Sequence, residues 1–212
     1  MAKILFVMSG ADHWTLNDGS KHPTGYWAEE FAVPFEKVTA AGHSVEVATP
    51  GGVAPTVDKA SLDGGDAPVV PPAIDLAGVN LDGYDAVFYP GGHGPMEDLA
   101  VDTTSAKLVD RALTDGKPLA LVCHGVAALL PATPELIDGR RVTAFSNEEE
   151  TAAGLAAKAP WLLEDRLVAL GADYAAGPAW QSHVIADGTL ITGQNPGSSA
   201  AVADELLLAL RA

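Results

Sequence analysis

The sequence predicts a single-domain α/β protein with a three-layer, doubly wound, mostly parallel sheet of the flavodoxin-like or Rossmann-like kind. Strand-like runs alternate with helix-like runs along the chain, which is the pattern of a parallel sheet covered by helices on both faces. The 212 residues suit one domain, and no linker, repeat or low-complexity segment interrupts 1–212. Hydrophobic residues make up 48% of the chain, enough to bury a sizeable core.

The first half of the chain contains strand-like runs, one long helix and one irregular excursion. The first apolar run is too short for a signal-peptide core or a membrane span and is typical of a buried strand. Gly42 is placed to end the following helix in a left-handed conformation. The predicted elements are a strand at Lys3–Met8, a polar loop at Ser9–Pro23, a helix from its cap Thr24 to about Ala41, a strand at Ser44–Ala48, an excursion with a small hairpin at Pro50–Pro72, and a strand at Tyr84–Tyr89.

The second half continues the alternation and ends in a helix. Leu119–Val122 is continuously apolar, as expected of a central parallel strand that is buried on both faces. Val184–Ile191 has Asp187-Gly188 between two strand-like runs, which predicts a hairpin. The other predicted elements are helices at Thr103–Thr114, Asn147–Leu155 and Leu162–Leu170, a strand at Arg141–Phe145, a short helix after Cys123, and a last helix capped by Ser198 or Ser199 that runs to about Leu210.

The composition excludes several classes of partner. A formal net charge of -16 repels nucleic-acid phosphates and anionic lipid, so we expect neither nucleic acid nor a membrane as a partner. The single cysteine cannot form an intramolecular disulfide, and no segment approaches the length of a membrane span. The expected location is therefore cytoplasmic.

Cys123 carries the strongest local signal. The segment Leu119–Gly125 is a buried strand that stops at a nucleophile-type residue and leads into a helix. This is the layout of a nucleophile elbow, although Leu121 stands where the usual motif has glycine. At a helix N-terminus the helix dipole favours thiolate over thiol. The alternative is a buried cysteine that acts only as a small hydrophobe.

A glycine-rich turn follows another predicted strand. Its glycines let backbone N–H groups approach a ligand closely, as an oxyanion hole requires. If the two strands are neighbours, the N–H groups of Gly92 and His124 face the same developing negative charge. Gly91, Gly92 and His93 are therefore predicted to bind substrate or oxyanion, and the alternative is an ordinary turn between a strand and a helix.

Two acidic clusters are candidates for acid–base chemistry. Glu29 and Glu30 lie early in the first predicted helix, where a carboxyl group desolvated beside a thiolate has a raised pKa and can act as acid or base. In the run Glu148–Glu150, one carboxylate can orient His124 as in a catalytic triad. Helix carboxylates are more often solvated, so both interpretations stay open at this point.

Neither a metal nor an organic cofactor is predicted. The six histidines contain no i, i+4 pair, and there is no second cysteine. No Gly-x-Gly-x-x-Gly follows the first strand, and no Walker-type loop occurs. Trp27, Trp161 and Trp180 are expected to serve packing rather than recognition.

Taken together, the motifs resemble those of the ThiJ/PfpI superfamily, the DJ-one proteins of the class I glutamine-amidotransferase-like type. The similar stretches span nearly the whole chain in the family's order and favour the branch of heat-shock protein thirty-one and glyoxalase III. They are Thr24–Glu30 with Pro34, Ala86–Gly94, Val122–Gly125, Phe145–Asn147 with Glu150-Thr151, and Asp187–Pro196.

The resemblance implies a catalytic set of Cys123, His124, Glu30 and Glu150. Cys123 corresponds to the family nucleophile in its strained elbow, Glu30 to the carboxylic acid that contacts the thiol, and His124 to the histidine after the nucleophile. Glu150 matches the acid that completes a Cys-His-acid triad in the glyoxalase branch, with its two neighbouring glutamates as alternatives. A homodimer is also implied, because members of the superfamily commonly form dimers.

The resulting hypothesis is a cofactor-independent, glyoxalase III-like enzyme of the glutathione-independent lactate dehydratase class. Its substrate is a small reactive carbonyl compound such as methylglyoxal or glyoxal, and a related deglycase activity is included. The first alternative is an amidase- or peptidase-type hydrolase, but the late His-x-Glu motif of glutamine amidotransferases is missing, because His183 precedes Val184-Ile185. The second is a redox or stress sensor or holding chaperone in which Cys123 is oxidised beside Glu30.

Overall fold

Short strands alternate with helices along the chain in the computed structural model, which describes residues 1–211. The strands are β1 (Lys3–Val7), β2 (His13–Thr15), β3 (Lys21–Pro23), β4 (Ser44–Thr49), β5 (Ala73–Asp75), β6 (Ala86–Tyr89), β7 (Leu119–Val122), β8 (Arg141–Val142), β9 (Asp173–Tyr174), β10 (Val184–Asp187) and β11 (Leu190–Gly193). The helices are α1 (Ala28–Ala40), α2 (Gly94–Glu97), α3 (Thr103–Thr114), α4 (Pro134–Ile137), α5 (Asn147–Ala152), α6 (Leu163–Ala169) and α7 (Ser199–Ala209).

The central sheet has the strand order β10-β11-β7-β6-β1-β4-β5. All neighbouring strands are parallel except β10, which pairs antiparallel with β11. From β1 the chain adds β4 and β5 on one side and then β6 and β7 on the other, so the direction of winding reverses beside β1. In open α/β sheets ligands bind at the carboxyl ends of the strands near such a reversal. There β6 and β7 end side by side, with Tyr89 opposite Leu121.

The side chains of β1 show why the fold has three layers. Leu5 and Val7 belong to one apolar core, whereas Ile4 and Phe6, together with Met8 directly after the strand, belong to another, and all five are buried. Successive residues of a strand face opposite sides, so each core lies on its own face of the sheet. Residues of α3 and α6 cover the first face, and residues of α1 and α7 cover the second. The predicted three-layer, mostly parallel fold is confirmed.

The first helix begins later than predicted. α1 starts one turn beyond Thr24, and its N-cap position, Trp27, makes no side-chain capping hydrogen bond. Thr24 instead donates its hydroxyl to Asp58 at 2.7 Å, and the N–H of Tyr26 donates to the Thr56 carbonyl at 2.8 Å. The residues before α1 are extended because they pair with a distant segment of the chain.

The Pro50–Pro72 excursion leaves the sheet as predicted, but it forms no hairpin. It contains two short 3-10 helices, Pro50–Gly52 and Lys59–Leu62, and an isolated bridge between Val57 and Tyr26. It returns to the sheet as β5, an edge strand that the sequence did not predict. The excursion is therefore held against the segment that precedes α1.

Two other segments differ from the prediction. The polar loop Ser9–Pro23 contains the β2–β3 hairpin, whose polar strands give no apolar signal. The predicted strand Arg141–Phe145 shrinks to Arg141–Val142, which pairs with β9 in a separate small sheet. The strand ends there because the N–H of Thr143 donates to the hydroxyl of Thr192 at 2.9 Å rather than to a partner strand.

None of the helices in residues 1–211 combines the length and the apolar character that crossing a bilayer requires.

Gly25→Ala is expected to destabilise the protein, because residue 25 touches the backbone of the excursion. A Cβ there lies 1.8 Å from the Thr56 carbonyl oxygen, so one of the two segments must move. Overpacking of this kind costs about 1–3 kcal/mol. Gly83→Ala is the matched control, since its Cβ meets no atom within 4 Å, and its free energy of unfolding should change by less than about 0.5 kcal/mol. Urea unfolding measures both variants, and equal stabilities would contradict the packing described.

Candidate active site

Cys123 lies directly after β7 in a left-handed backbone conformation. Its φ is +56°, which is uncommon for a residue with a side chain, and its thiol is buried. A short 3-10 helix, Cys123–Leu129, begins at once, so the thiol stands on a sharp strand-to-helix turn. Gly125 permits the turn, because a Cβ there lies 2.5 Å from the Tyr89 carbonyl oxygen. This is the geometry of a nucleophile elbow.

The glycine turn after β6 faces the same thiol. Gly92 has a φ of +90°, and a Cβ on it lies 2.4 Å from the Gly25 carbonyl oxygen, so only glycine fits. The backbone N–H groups of Gly92 and His124 lie close enough to the Cys123 sulfur to lower the pKa of the thiol. Both groups follow adjacent strand ends and lie beside one sulfur, where they can stabilise an oxyanion that forms next to it.

Glu30 reaches the thiol from the first turn of α1. Its carboxyl group is buried, and Oε2 accepts a hydrogen bond from the Gly91 N–H at 2.7 Å. That N–H is therefore not free to bind an oxyanion, contrary to the sequence prediction for Gly91. Oε1 has no nitrogen or oxygen partner, and the carboxyl group contacts the Cys123 thiol. Burial raises the pKa of Glu30 to about 8, so the group carries a proton at neutral pH.

Burial also raises the pKa of the Cys123 thiol, and the adjacent Glu30 raises it further. The N–H donors of His124 and Gly92 lower this pKa, in the sense expected of a helix N-terminus, but their contribution is smaller. The free protein therefore holds a thiol rather than the thiolate that the sequence predicts. A neighbouring base must take the proton before the sulfur can attack.

His124 is placed to be that base. Its Nδ1 lies 3.4 Å from the Cys123 sulfur, and its Nε2 lies 2.7 Å from Glu150 Oε2. Burial, followed by the neighbouring His93, lowers the pKa of His124 to about 4, so the ring is neutral at pH 7. With Nε2–H donated to Glu150, the lone pair of Nδ1 faces the thiol, which is the arrangement of a Cys-His-acid triad.

Of the three consecutive glutamates, Glu150 is the one that contacts His124. Glu148 is exposed, and Glu149 is buried in a different network. Burial acts to raise the pKa of Glu150, but the interactions with His124 and His93 outweigh it and hold this pKa well below its usual range. Glu150 is therefore ionised at neutral pH.

His93 contacts the other oxygen of the same carboxylate. Its Nε2 lies 2.8 Å from Glu150 Oε1, and its ring centre lies 4.0 Å from that of His124 and 5.2 Å from that of Trp14. The sequence predicted that His93 helps to bind substrate or oxyanion. In the structure its side chain instead forms a hydrogen bond with Glu150, the acid of the triad. The ligand atoms of His93, His124 and Glu150 lie within 4.8 Å of one another, so these residues are able to hold a metal ion, which the histidine spacing did not indicate.

A small pocket of about 70 Å³ opens onto the Cys123 sulfur. This is several times the ~10–15 Å³ that admits one water molecule, so the pocket has room for a molecule of a few non-hydrogen atoms. Trp27 and Trp180 line it, although the sequence assigned them to packing; Trp161 does pack against the core. Its walls consist of Trp27, Gly92, His93, Cys123, His124, Phe145, Ala153, Trp180 and Pro196. It shares Trp27, His93 and Ala153 with an outer cleft of about 720 Å³.

Glu149 fastens the loop that carries Trp180. Its buried carboxylate accepts hydrogen bonds from the backbone N–H of Trp180 at 2.8 Å and from the side-chain amides of Gln194 and Asn195 at 3.1 and 2.8 Å. The hydroxyl and N–H of Ser146 complete its shell. Trp180 itself has a φ of +63° and is half exposed, so this anchor keeps an otherwise strained residue at the pocket mouth.

Comparison with known proteins gives one consistent match. The profile of the DJ-1/PfpI family matches residues 24–209. The glutamine amidotransferase-like class 1 domain-containing protein 1 of Bos taurus is 32% identical over 86% of this chain and 87% of its own. The glutathione-independent glyoxalase HSP31 of Saccharomyces cerevisiae is 34% identical over 63% of this chain and 60% of its own, and glyoxalase 3 of Candida albicans is 28% identical over 99% and 98%.

A solved structure matches as well. The Rapid Encystment Protein 24 kDa of Francisella tularensis superposes on this chain with a TM-score of 0.90 at 29% identity, and the match covers 99% of both chains.

Glu149→Ala is expected to lower the free energy of unfolding by about 1–3 kcal/mol, because buried donors lose their acceptor. Glu148→Ala is the matched control, since the neighbouring side chain is exposed and has no such network. Urea unfolding of the two variants provides the comparison. If both variants unfold like the wild type, the carboxylate of Glu149 does not hold this loop.

Proposed function

The chain belongs to the DJ-1/PfpI family, and on that premise we propose that it is a glutathione-independent glyoxalase of the glyoxalase III kind. In this proposal methylglyoxal or glyoxal becomes the corresponding 2-hydroxy acid without a cofactor. The observation that carries the proposal is the buried Cys123 thiol between the protonated carboxyl group of Glu30 and the neutral imidazole of His124. The relatives named as glyoxalases support it.

The size of the pocket supports a small dicarbonyl substrate. A volume of about 70 Å³ suits a molecule the size of methylglyoxal, with five non-hydrogen atoms, better than a peptide side chain. Phe145, Trp27 and Trp180 give this pocket aromatic, apolar walls of the kind that small-molecule sites use. The polar groups that line the pocket come from Gly92, His93 and His124, which surround Cys123.

The first step is addition of the sulfur to the aldehyde carbon. His124 Nδ1 takes the thiol proton, the S–C bond forms, and the carbonyl π electrons move onto oxygen. The N–H groups of Gly92 and His124, which lie beside the sulfur, hold the resulting oxyanion. Ionised Glu150 stabilises the imidazolium that forms.

The second step moves a proton between adjacent carbons. The oxyanion takes the proton of Glu30, and the resulting carboxylate removes the hydrogen of C1 of the hemithioacetal. The electron pair forms the C1–C2 double bond of an enediol while the C2 oxygen takes the proton from the His124 imidazolium. Glu30 then protonates C2 and takes the proton of the C1 hydroxyl, which gives a 2-hydroxy thioester. C1 is oxidised while C2 is reduced, so no external oxidant or reductant takes part. Glu30 and His124 flank the sulfur and exchange these protons. Water then cleaves the thioester, which releases the hydroxy acid and restores the Cys123 thiol.

A hydrolase is the second candidate, because the same Cys123-His124-Glu150 arrangement can cleave an ester or amide. The name of the Bos taurus relative also mentions an amidotransferase-like domain. An amidase needs no proton transfer between two carbons, so it has less use for a protonated carboxyl group beside the sulfur. Glu30 therefore favours the glyoxalase.

Cys123→Ala is expected to abolish formation of lactate from methylglyoxal, because no sulfur remains to form the hemithioacetal. The assay contains neither glutathione nor added metal and compares the variant with the wild type. Alanine tolerates the left-handed φ of +56° no worse than cysteine, so the thermal midpoint should stay close to that of the wild type. Substantial activity in a folded Cys123→Ala protein would exclude the mechanism.

Glu30→Gln is expected to reduce turnover by at least about 100-fold, the lower end of what a general acid or base contributes. The amide oxygen can still accept the Gly91 N–H, but the side chain has no acidic proton to give. Iodoacetamide should continue to alkylate Cys123. Glu29→Gln is the matched control, because Glu29 is exposed, and its turnover should not change. If Glu30→Gln and Glu29→Gln turn over methylglyoxal at equal rates, Glu30 is not an acid or base in the reaction.

A further inference from the structure

Three metal-ligating groups converge behind the nucleophile. The Nε2 atoms of His93 and His124 lie 2.8 and 2.7 Å from the two oxygens of Glu150, and the ligand atoms of all three lie within 4.8 Å of one another. The residues come from the turn after β6, the turn after β7 and α5, and all three are buried. The ion-pair partners of Glu150 in the described residues are these two histidines.

We propose that His93, His124 and Glu150 bind one divalent transition-metal ion, with Zn²⁺ as the best fit, and that this ion inhibits the enzyme. Two imidazoles and one carboxylate form a ligand set that proteins use for Zn²⁺ with a fourth position open. Imidazole nitrogen favours zinc, nickel and copper, whereas Mg²⁺ and Ca²⁺ prefer all-oxygen sites. Binding follows from this geometry alone, and only its effect on turnover rests on the proposed glyoxalase activity.

Neighbouring side chains fix the proposed metal site in position, and an ion can reach it from solvent. The ring of His93 stacks on Trp14 at 5.2 Å, and the ring of His124 lies 4.4 Å from that of Phe145, so neighbouring aromatic rings fix both imidazoles. His93 also lines the outer cleft of about 720 Å³, which gives an ion a path from solvent. Water from that side can supply the fourth ligand.

Coordination removes the base from the reaction. A metal ion takes the Nε2 lone pair of His124, so the proton that Nε2 now donates to Glu150 must move to Nδ1 of the neutral ring. Nδ1 faces the Cys123 sulfur at 3.4 Å and changes from an acceptor to a donor. The ring can then no longer accept the thiol proton. The sulfur is not a ligand in this arrangement.

Isothermal titration calorimetry of the metal-free, full-length protein with ZnCl₂ tests whether these three residues bind the ion. One ion per chain should bind to the wild type and to Cys123→Ala. His93→Asn should bind at least about 10-fold more weakly, since losing even a supporting group of a metal site costs about that much. His22→Gln is the matched control, because its ring lies 6.1 Å from that of His93 but outside the cluster, and its affinity should not change.

Three further measurements separate the possible outcomes. Glu150→Gln provides a second ligand variant in case His93→Asn does not fold, and MgCl₂ should give no binding. Lactate formation by the wild type should stop as the site fills and should return on addition of a chelator.

Several results would overturn the proposal. Loss of Zn²⁺ binding in Cys123→Ala would assign the ion to the thiol. If His93→Asn and Glu150→Gln bind Zn²⁺ as tightly as the wild type, the ion binds elsewhere. If the enzyme turns over at its full rate with the site occupied, the ion is not an inhibitor. Because binding is measured without substrate, failure of the glyoxalase assignment leaves the metal site standing, and the reverse also holds.

Discussion

Two buried acidic groups that touch each other and both keep their protons are the constraint on which the rest of the site depends. Cys123 and Glu30 are both removed from water and touch each other, so burial raises the pKa of each and the pair stays protonated. Backbone geometry enforces this contact. The left-handed φ of Cys123 aims the sulfur, and the Gly91 N–H fixes the carboxyl group. The fold contributes by ending β6 and β7 side by side below α1, which brings all of these groups to one point.

A second buried carboxylate completes the site in a different electrostatic state. Glu150 is ionised because two imidazoles, His93 and His124, donate to its two oxygens. The protein thus keeps one carboxyl group neutral beside the sulfur and another charged behind the base, and the environment alone distinguishes them. The shared carboxylate fixes the tautomer of His124 for proton transfer. It also assembles a ligand set that a zinc ion can occupy, so activation and inhibition depend on the same three side chains.

Those parts of the structure that depend on short stretches of consecutive residues could be predicted from the sequence. The apolar run Leu119–Val122 predicts a central strand, and the elbow follows directly from what comes after it. Other parts depend on contacts between distant residues. Thr24 has the right chemistry for a helix cap, yet it donates to Asp58, so the helix starts later. His93 and Glu150 are 57 residues apart and lie in different elements, and no spacing rule connects them. The sequence favoured a thiolate at Cys123, whereas burial keeps the thiol protonated. Burial could not be predicted, because desolvation depends on residues that only the fold brings near.

The most direct test of the covalent mechanism is to trap the intermediate on Cys123 during turnover. Metal-free, full-length protein is mixed with methylglyoxal without glutathione, quenched with acid at successive times and analysed by intact-protein and peptide mass spectrometry, while lactate is measured in parallel. The covalent mechanism requires an acid-stable mass increase of one methylglyoxal on the Cys123 peptide, which appears before lactate and decays as lactate accumulates. Lactate formed without such an adduct, or an adduct that never yields lactate, would contradict it.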